Sequence, residues 1–270
     1  MKRIISIIAV VFLTGFGSFF SNLKEVFQIK EETTAPPTTT AVPYVRPEGV
    51  HAASAGKGKL VALTFDDGPG GDVTNHILTK LQEAGGHATF FCLGDRAENY
   101  QKTLRRMVAQ GHEIASHSYS HERLTRLSNS GLQRDLSSAA EALEEFSGQR
   151  PLLLRPPYGA VNGPMLEHTD WPVILWSIDS EDWRYCELLC KNRSDEQRQR
   201  DFIKVVNSVL DYVQDGDIIL MHDLYSFTQD VADAVIDELY HQGWQMVTVS
   251  ELFAAKGIVP QPGEVYHCAR

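Results

Sequence analysis

Two adjacent carboxylates end a short apolar segment near residue 65. The stretch "LVALTFDDG" places Asp66 and Asp67 directly after the run 60–65 and before a glycine and a proline. Asp, Gly and Pro are common turn formers, so a plain turn is the simplest interpretation. A pair of carboxylates can also divide two tasks, one binding a cation and the other accepting a proton.

Two histidines four residues apart form the second candidate group. "SHSYSH" contains His117 and His121. Imidazoles at this spacing can converge on one cation and suit zinc and related transition metals. A catalytic metal needs a third protein ligand, which we expect to be Asp67. Asp66 is then free to act as the base that takes a proton from a water held by the metal.

Three further polar groups follow apolar segments. Arg155 could pair with Asp66, keep its pKa low and orient it. His222 could protonate a leaving amine if a carboxylate keeps the imidazole charged. Either Asp179 or Asp182 could be that carboxylate, and the residues alone do not decide between them. The set as a whole predicts metal-assisted hydrolysis of an amide or an ester.

The elements that must position these groups alternate along the chain. Apolar, strand-like runs are separated by segments with helical spacing, which indicates a parallel sheet covered by helices. The strand-like runs are 60–65, 87–93, 113–117, 152–155, 173–178, 217–222 and 245–249. We expect a barrel of seven or eight strands, with an open doubly wound sheet as the alternative. In a barrel, the polar groups at the strand ends share one face.

The five groups together resemble a known family. "TFDDG" (64–68), "HSYSH" (117–121), "RPPYG" (155–159), "DSEDW" (179–183) and "LMH" (220–222) are similar to the five ordered motifs of NodB-type polysaccharide deacetylases, carbohydrate esterase family 4. The resemblance covers residues 59–256. It implies a distorted (β/α) barrel, one divalent metal, with Zn²⁺ preferred over Co²⁺ or another transition metal, and removal of acetyl groups from N-acetylated sugars.

The resemblance also implies a role for each residue at a matching position. Asp66 would be the base, Arg155 would orient it, and His222, supported by Asp182, would be the acid. Asp67, His117 and His121 would hold the metal. The Tyr158 backbone N–H would face the oxyanion, and Trp183 and Leu220 would line the acetyl pocket. The segment 184–200, with its two cysteines, looks longer and more polar than the family pattern, and the tail 257–270 lies outside it.

The N-terminal composition predicts export. Lys2 and Arg3 precede an apolar run, 4–20, which suits a signal peptide or a membrane anchor within residues 1–30. Residues 31–58, rich in Thr and Pro, suggest a stalk before the domain at 59–256. We expect an extracytoplasmic protein, secreted or anchored by this segment and associated with the cell wall. Export also permits disulfides, but the pairing of Cys186, Cys190 and Cys268 stays open.

Composition and context narrow the substrate. A net charge of -10 argues against a nucleic-acid partner. We expect a monomer that acts on N-acetylglucosamine in peptidoglycan. Deacetylation of chitooligosaccharides or of O-acetylated xylan are close alternatives. A glycan-binding barrel without activity and a metal-dependent phosphohydrolase are more distant ones, and the complete set of acid, base and metal-binding residues argues against the first.

Overall fold

The computed structural model describes residues 44–185 and 192–270. Its strands, in chain order, are β1 (Leu60–Asp66), β2 (Thr89–Cys92), β3 (Glu113–Ser116), β4 (Val173–Ile174), β5 (Ile178–Asp179), β6 (Asp217–His222), β7 (Gln245–Met246) and β8 (Val265–Tyr266). Its α-helices are α1 (Asp72–Glu83), α2 (Gln101–Ala109), α3 (Asn129–Ser147), α4 (Gly163–Glu167), α5 (Asp195–Leu210), α6 (Ser226–His241) and α7 (Val249–Ala255).

Strand β1 is the centre of a parallel sheet in the order β3-β2-β1-β6-β5. It pairs with β6 along six residues, so that Asp66 lies opposite His222. On its other side, β1 pairs with β7 in its first half and with β2 in its second half. Residues 61–66 are all buried, which explains why this strand reads as a continuous apolar run rather than an alternating one.

A second set of pairings extends the sheet towards a barrel. Leu154 bridges Ser116 at the end of β3 to Val173 in β4, and β4 pairs with β8. Beyond β8, Cys268 bridges back to Asp217 at the start of β6. The predicted distorted α/β barrel is therefore confirmed. The predicted strand 152–155 contributes a single bridging residue, and the run 173–178 is divided into two short strands.

The helices pack on this sheet through the apolar faces that their sequences predict. In α3, for example, Leu132, Leu136 and Leu143 are buried. Ser128 caps the first turn of this helix, and Gly148 ends it in a left-handed conformation with φ 82°. These two caps fix where α3 begins and ends.

Residues 44–58 fall within the segment predicted as a stalk, yet they pack against the domain. Val50 and Ala53 are buried, and Arg46 forms two hydrogen bonds to the Glu238 carboxylate of α6, at 2.9 and 2.8 Å. Glu238 is fully buried. This ion pair holds the segment before β1 onto the outside of the barrel.

The predicted signal or anchor segment, residues 1–30, lies outside the described residues, as do Cys186 and Cys190. Within 44–185 and 192–270, no helix is both long enough and apolar enough to cross a membrane. Cys92 is buried, as expected of a small apolar side chain, and neither it nor Cys268 is disulfide-bonded to another described residue.

Candidate active site

The predicted site residues come together at one end of the barrel. Asp66 ends β1, His117 follows β3, Arg155 follows the bridging residue Leu154, and His222 ends β6. Because the strands are parallel, their carboxyl ends open on the same face. Asp182 reaches this face from the turn after β5.

Asp67, His117 and His121 form the group best suited to a metal ion. Asp67 Oδ1 lies 3.2 Å from His117 Nε2 and 3.1 Å from His121 Nε2. The three ligand atoms all lie within 4.8 Å of one another. Within the described chain, it is the one cluster of three His, Cys, Asp or Glu side chains with this geometry. One carboxylate and two imidazoles match the ligands that zinc and related metals prefer.

The surroundings of these three residues fit a bound cation. Asp67 Oδ1 is buried, and neither imidazole meets hydrogen-bond geometry with it, which leaves the oxygen without a partner among the described residues. The His117 Nδ1–H donates to the Arg155 carbonyl at 2.7 Å, so Nε2 is the ring nitrogen that faces the cluster. Burial alone would raise the pKa of Asp67, but the two imidazoles hold it well below its usual range. Asp67 is thus anionic and ready to act as a ligand.

Asp66 has a different partner from Asp67, the guanidinium of Arg155. Arg155 Nη1 donates to Asp66 Oδ1 at 2.7 Å and to Thr64 Oγ1 at 2.8 Å. Its Nε and Nη2 donate to the carbonyls of Ile174 and Leu175, both at 3.0 Å. The guanidinium is fully buried and lies 3.9 Å from the centroid of the Phe91 ring. Burial lowers the pKa of Arg155, and the negative charge of Asp66 opposes this. The hydrogen bond from Arg155 therefore fixes the orientation of Asp66.

His222 has its own carboxylate, and it is Asp182. His222 Nδ1 lies 2.8 Å from Asp182 Oδ1, and the backbone N–H of His222 donates to Asp182 Oδ2 at 2.8 Å. Asp179 instead accepts a hydrogen bond from the Glu181 backbone. Burial alone would lower the pKa of His222, but the charge of Asp182 outweighs it and raises the pKa to about 9. At neutral pH the imidazole is therefore protonated.

Backbone strain is concentrated in the loops that carry these residues. The described non-glycine residues with positive φ are Asp67 (71°), Ser118 (72°), His121 (62°), Tyr158 (64°) and Glu181 (58°). Four of them lie in loops that follow strands β1, β3 and β5, and Tyr158 lies in the loop that follows Leu154. Strain of this kind costs about 1–3 kcal/mol per residue and is found where a structure holds functional groups in place.

The residues predicted to line a substrate pocket differ in exposure. Tyr158 is 60% exposed and Trp183 is 44% exposed, whereas Leu220 is 4% exposed. The Tyr158 ring lies against His121, with centroids 4.7 Å apart. Its backbone N–H has no acceptor among the described residues. Trp183 directly follows Asp182, and Leu220 is two residues before His222, so both are adjacent to the acid pair.

Asp223 is a buried group at the site that the sequence did not single out. It accepts a hydrogen bond from Thr74 Oγ1 at 2.5 Å, and Thr74 Oγ1 in turn accepts one from the Gly70 backbone. A Cβ on Gly68 would lie 2.2 Å from Asp223 Oδ1, so only glycine fits there. Burial raises the pKa of Asp223 to about 7. Its position directly after His222 was the available signal, but its contacts are all distant in sequence.

Known proteins are similar to this chain in both sequence and fold. The family model for polysaccharide deacetylase matches residues 53–170. A peptidoglycan-N-acetylmuramic acid deacetylase, PdaC from Bacillus subtilis, is 41% identical over 73% of this chain and 39% of that protein. Its solved structure matches with a TM-score of 0.66 over 74% of this chain and 92% of the solved chain.

Two further relatives cover different named substrates. A peptidoglycan-N-acetylglucosamine deacetylase, PgdA from Listeria monocytogenes, is 36% identical over 73% of this chain and 40% of that protein. A family 4 acetyl xylan esterase from Clostridium thermocellum, solved with a cobalt ion, is 29% identical, with a TM-score of 0.68 over 78% of this chain and 98% of the solved chain.

The site and these similarities define the class of the protein. The chain belongs to the polysaccharide deacetylase family, within carbohydrate esterase family 4, as the five motifs predicted. It therefore belongs to a family of hydrolases whose members use a metal, and it presents an Asp–His–His cluster that could hold one. The chain spans about two fifths of the length of the PdaC and PgdA proteins.

Proposed function

We propose that this chain is an exported, metal-dependent deacetylase that hydrolyses the acetamide of N-acetylglucosamine residues in peptidoglycan. The observation that carries the proposal is that two ion pairs and one ligand cluster lie at the same end of the barrel. Asp66 with Arg155 and His222 with Asp182 stand at the same barrel end as Asp67, His117 and His121. The Bacillus and Listeria relatives support peptidoglycan as the polymer, since their names assign them to it.

Asp67, His117 and His121 would hold the metal, and we propose zinc. When bound, the ion acts as a Lewis acid that polarises the acetyl carbonyl and lowers the pKa of water. Asp66 takes the proton from the attacking water, because Arg155 holds its carboxylate in a fixed orientation. The backbone N–H of Tyr158 offers a hydrogen bond where negative charge develops on the acetyl oxygen.

His222 completes the reaction by protonating the sugar amine as the carbon–nitrogen bond breaks. Its proton is held on the imidazole by Asp182, so it can be transferred from the ring atom that faces the site. Trp183 and Leu220 would surround the methyl of the acetyl group. Acetate and a free amine on the sugar are the products.

Acetate release tests this function. The full chain is incubated with N-acetylglucosamine oligomers, with purified peptidoglycan and with acetylated xylan, each in chelator and after zinc is added back. We expect acetate from peptidoglycan that stops in chelator and returns with zinc. Release from the oligomers alone would favour a chitooligosaccharide deacetylase, and release from xylan alone an esterase. Glycan binding with no acetate from any of the three would contradict the proposal and favour a binding-only barrel.

A further inference from the structure

Next to the candidate metal ligands lies a surface cavity that the proposed reaction does not use. Its volume is about 540 Å³, and its lining residues are His121, Glu122, Arg123, Arg126, Leu127 and Tyr158. His121 and Tyr158 belong to the candidate site, so the cavity is continuous with it. The other four residues have no role in the acid, base or metal-binding groups.

The guanidinium of Arg123 lines this cavity, and it is held against an aromatic ring rather than by an ion pair. Its guanidinium carbon lies 4.6 Å from the centroid of the Tyr158 ring. In the described part of the chain, no carboxylate forms an ion pair with it and no acceptor takes a hydrogen bond from its side chain. Arg155 differs, since Asp66, Thr64 and two carbonyls take its hydrogen bonds. A guanidinium stacked on an aromatic ring is oriented while its N–H groups stay available.

The position of Arg123 relates it to the substrate. The Tyr158 ring contacts both His121, with centroids 4.7 Å apart, and the Arg123 guanidinium. An N-acetylglucosamine whose acetamide reaches His121 would therefore place the next sugar of the glycan near the cavity. Arginine recognises carboxylates with two parallel hydrogen bonds, which gives both affinity and orientation.

We propose that Arg123, stacked on Tyr158, forms a subsite for a carboxylate of the glycan beside the acetamide. In peptidoglycan the sugar next to each N-acetylglucosamine is N-acetylmuramic acid, whose lactyl ether ends in such a carboxylate. A stem peptide attached there would supply the same chemistry from its own carboxylates. Glu122 also lines the cavity and disfavours anions, but Arg123 and Arg126 give the six residues a net positive charge. The inference rests on the proposed deacetylase function.

The test compares Arg123→Gln with the full-length parent on four substrates. These are neutral N-acetylglucosamine oligomers, peptidoglycan strands without stem peptides, the same strands with the lactyl carboxylate converted to an amide, and strands that keep their peptides. We expect Arg123→Gln to lower kcat/KM about tenfold on strands with a free lactyl carboxylate, the scale of one charge-assisted hydrogen bond. On the neutral oligomers and the amidated strands, kcat/KM should stay within about twofold of the parent.

Two variants separate this role from a structural one. Arg123→Lys keeps the charge and should recover part of the loss. Arg150 is an exposed arginine just after the end of α3, where it pairs with Glu144. Arg150→Gln should change kcat/KM on none of the four substrates. A loss confined to peptide-bearing strands would assign the subsite to a peptide carboxylate. Equal losses on neutral and carboxylate-bearing glycans, or no loss on either carboxylate-bearing glycan, would overturn the proposal.

Binding separates failure of the subsite from failure of the proposed function. Affinity for the same glycans, measured in chelator so that no turnover occurs, should fall in Arg123→Gln for carboxylate-bearing strands alone. If the parent released no acetate from any glycan, the deacetylase function would be wrong. The binding ratio would still decide whether Arg123 recognises a carboxylate.

Discussion

Asp66 and Asp67 are neighbours in sequence but have opposite surroundings. Asp66 is held by a buried guanidinium, and Asp67 is turned by its positive φ towards two imidazoles. Consecutive side chains of a strand point to opposite faces, so an ordinary strand end could not bring both groups to one site. The left-handed conformation at Asp67 allows the pair to share the site and divide its tasks.

Asp66→Asn should strongly lower turnover while the metal content stays unchanged. Asparagine keeps the shape and can accept the hydrogen bond from Arg155, but it cannot take a proton. We expect kcat to fall about 10²–10⁴-fold, the usual contribution of a general base. Elemental analysis measures the metal content, and acetate release measures turnover. Asp67→Asn, in contrast, should lose the metal. Near-full activity in Asp66→Asn would mean that the base is elsewhere.

The raised pKa of His222 predicts the alkaline limit of activity. In the proposed reaction the protonated imidazole is the acid, so kcat/KM should fall as the pH rises through about 9. Because the folded-state pKa lies above the usual value near 6.5, the His222–Asp182 pair also stabilises the fold fully below about pH 6.5. This stabilisation is lost as the pH rises through the folded-state value.

Asp182→Asn tests this assignment. Without the negative charge, burial dominates and the pKa of His222 falls, so the alkaline limb should move to lower pH. The measurement is kcat/KM from pH 6 to 10 in parent and variant, with Asp179→Asn as the control, since Asp179 makes no hydrogen bond to His222. An unchanged limb in Asp182→Asn would show that another group provides the proton.

At this scale the sequence predicted much of the site, and physical reasons explain the rest. Metal ligands and catalytic groups must have particular side chains, so His117, His121, Arg155 and His222 stood out as candidates at strand ends. The residues alone left Asp179 and Asp182 open, because the loop conformation decides which of them reaches the imidazole. Asp223 contacts Thr74, which is far away in sequence, and Arg123 contacts the ring of Tyr158. Neither contact produces a spacing pattern in the sequence.

At the scale of elements, short pairings hold the strands whose loops carry the site. β4 and β5 have two residues each, and Leu154 pairs through isolated bridges. Periodicity cannot separate such pieces from longer apolar runs, which is why 152–155 and 173–178 read as full strands. The side chain of Arg155 strengthens these short pairings, because it donates to the carbonyls of Ile174 and Leu175 as well as to Asp66. One side chain therefore links Asp66 to the strand beside it.

The segment before β1 offers a test of element packing. Arg46→Gln removes the positive partner of Glu238, a fully buried carboxylate that keeps neutral donors from Ala53 and Gln242. Breaking a well-buried pair costs about 3–5 kcal/mol, and the 36% exposure of Arg46 reduces this to about 2 kcal/mol. Urea unfolding of the full chain measures the loss.

The matched control is Arg150→Gln, whose partner Glu144 is 47% exposed. Exposed pairs contribute about 0–1 kcal/mol, so this variant should be close to the parent. Similar losses in both variants would show that segment 44–58 gains little from the Glu238 contact. Turnover should be unchanged in both, since neither arginine approaches the candidate site.

For the molecule as a whole, the barrel holds together a cluster of groups that would not meet in an unfolded chain. Asp67 is 50 residues from His117, and the C-terminal β8 and Cys268 help to complete the ring around them. A site preformed by the fold binds a cation in the native state far better than in the unfolded state. Metal binding should therefore stabilise the whole domain.

Thermal unfolding of the chelated chain, with and without added zinc, measures this coupling without any substrate. At zinc one hundred times above the dissociation constant, the native state gains about 2.7 kcal/mol, which raises Tm by roughly 5–10 °C for a domain of this size. His121→Asn should lose most of the rise. Asparagine tolerates the positive φ of 62° at this position but is too short to reach where Nε2 lies. If zinc raised the Tm of the variant as much as that of the parent, the metal would be bound by ligands other than His121, whether or not the enzyme is active.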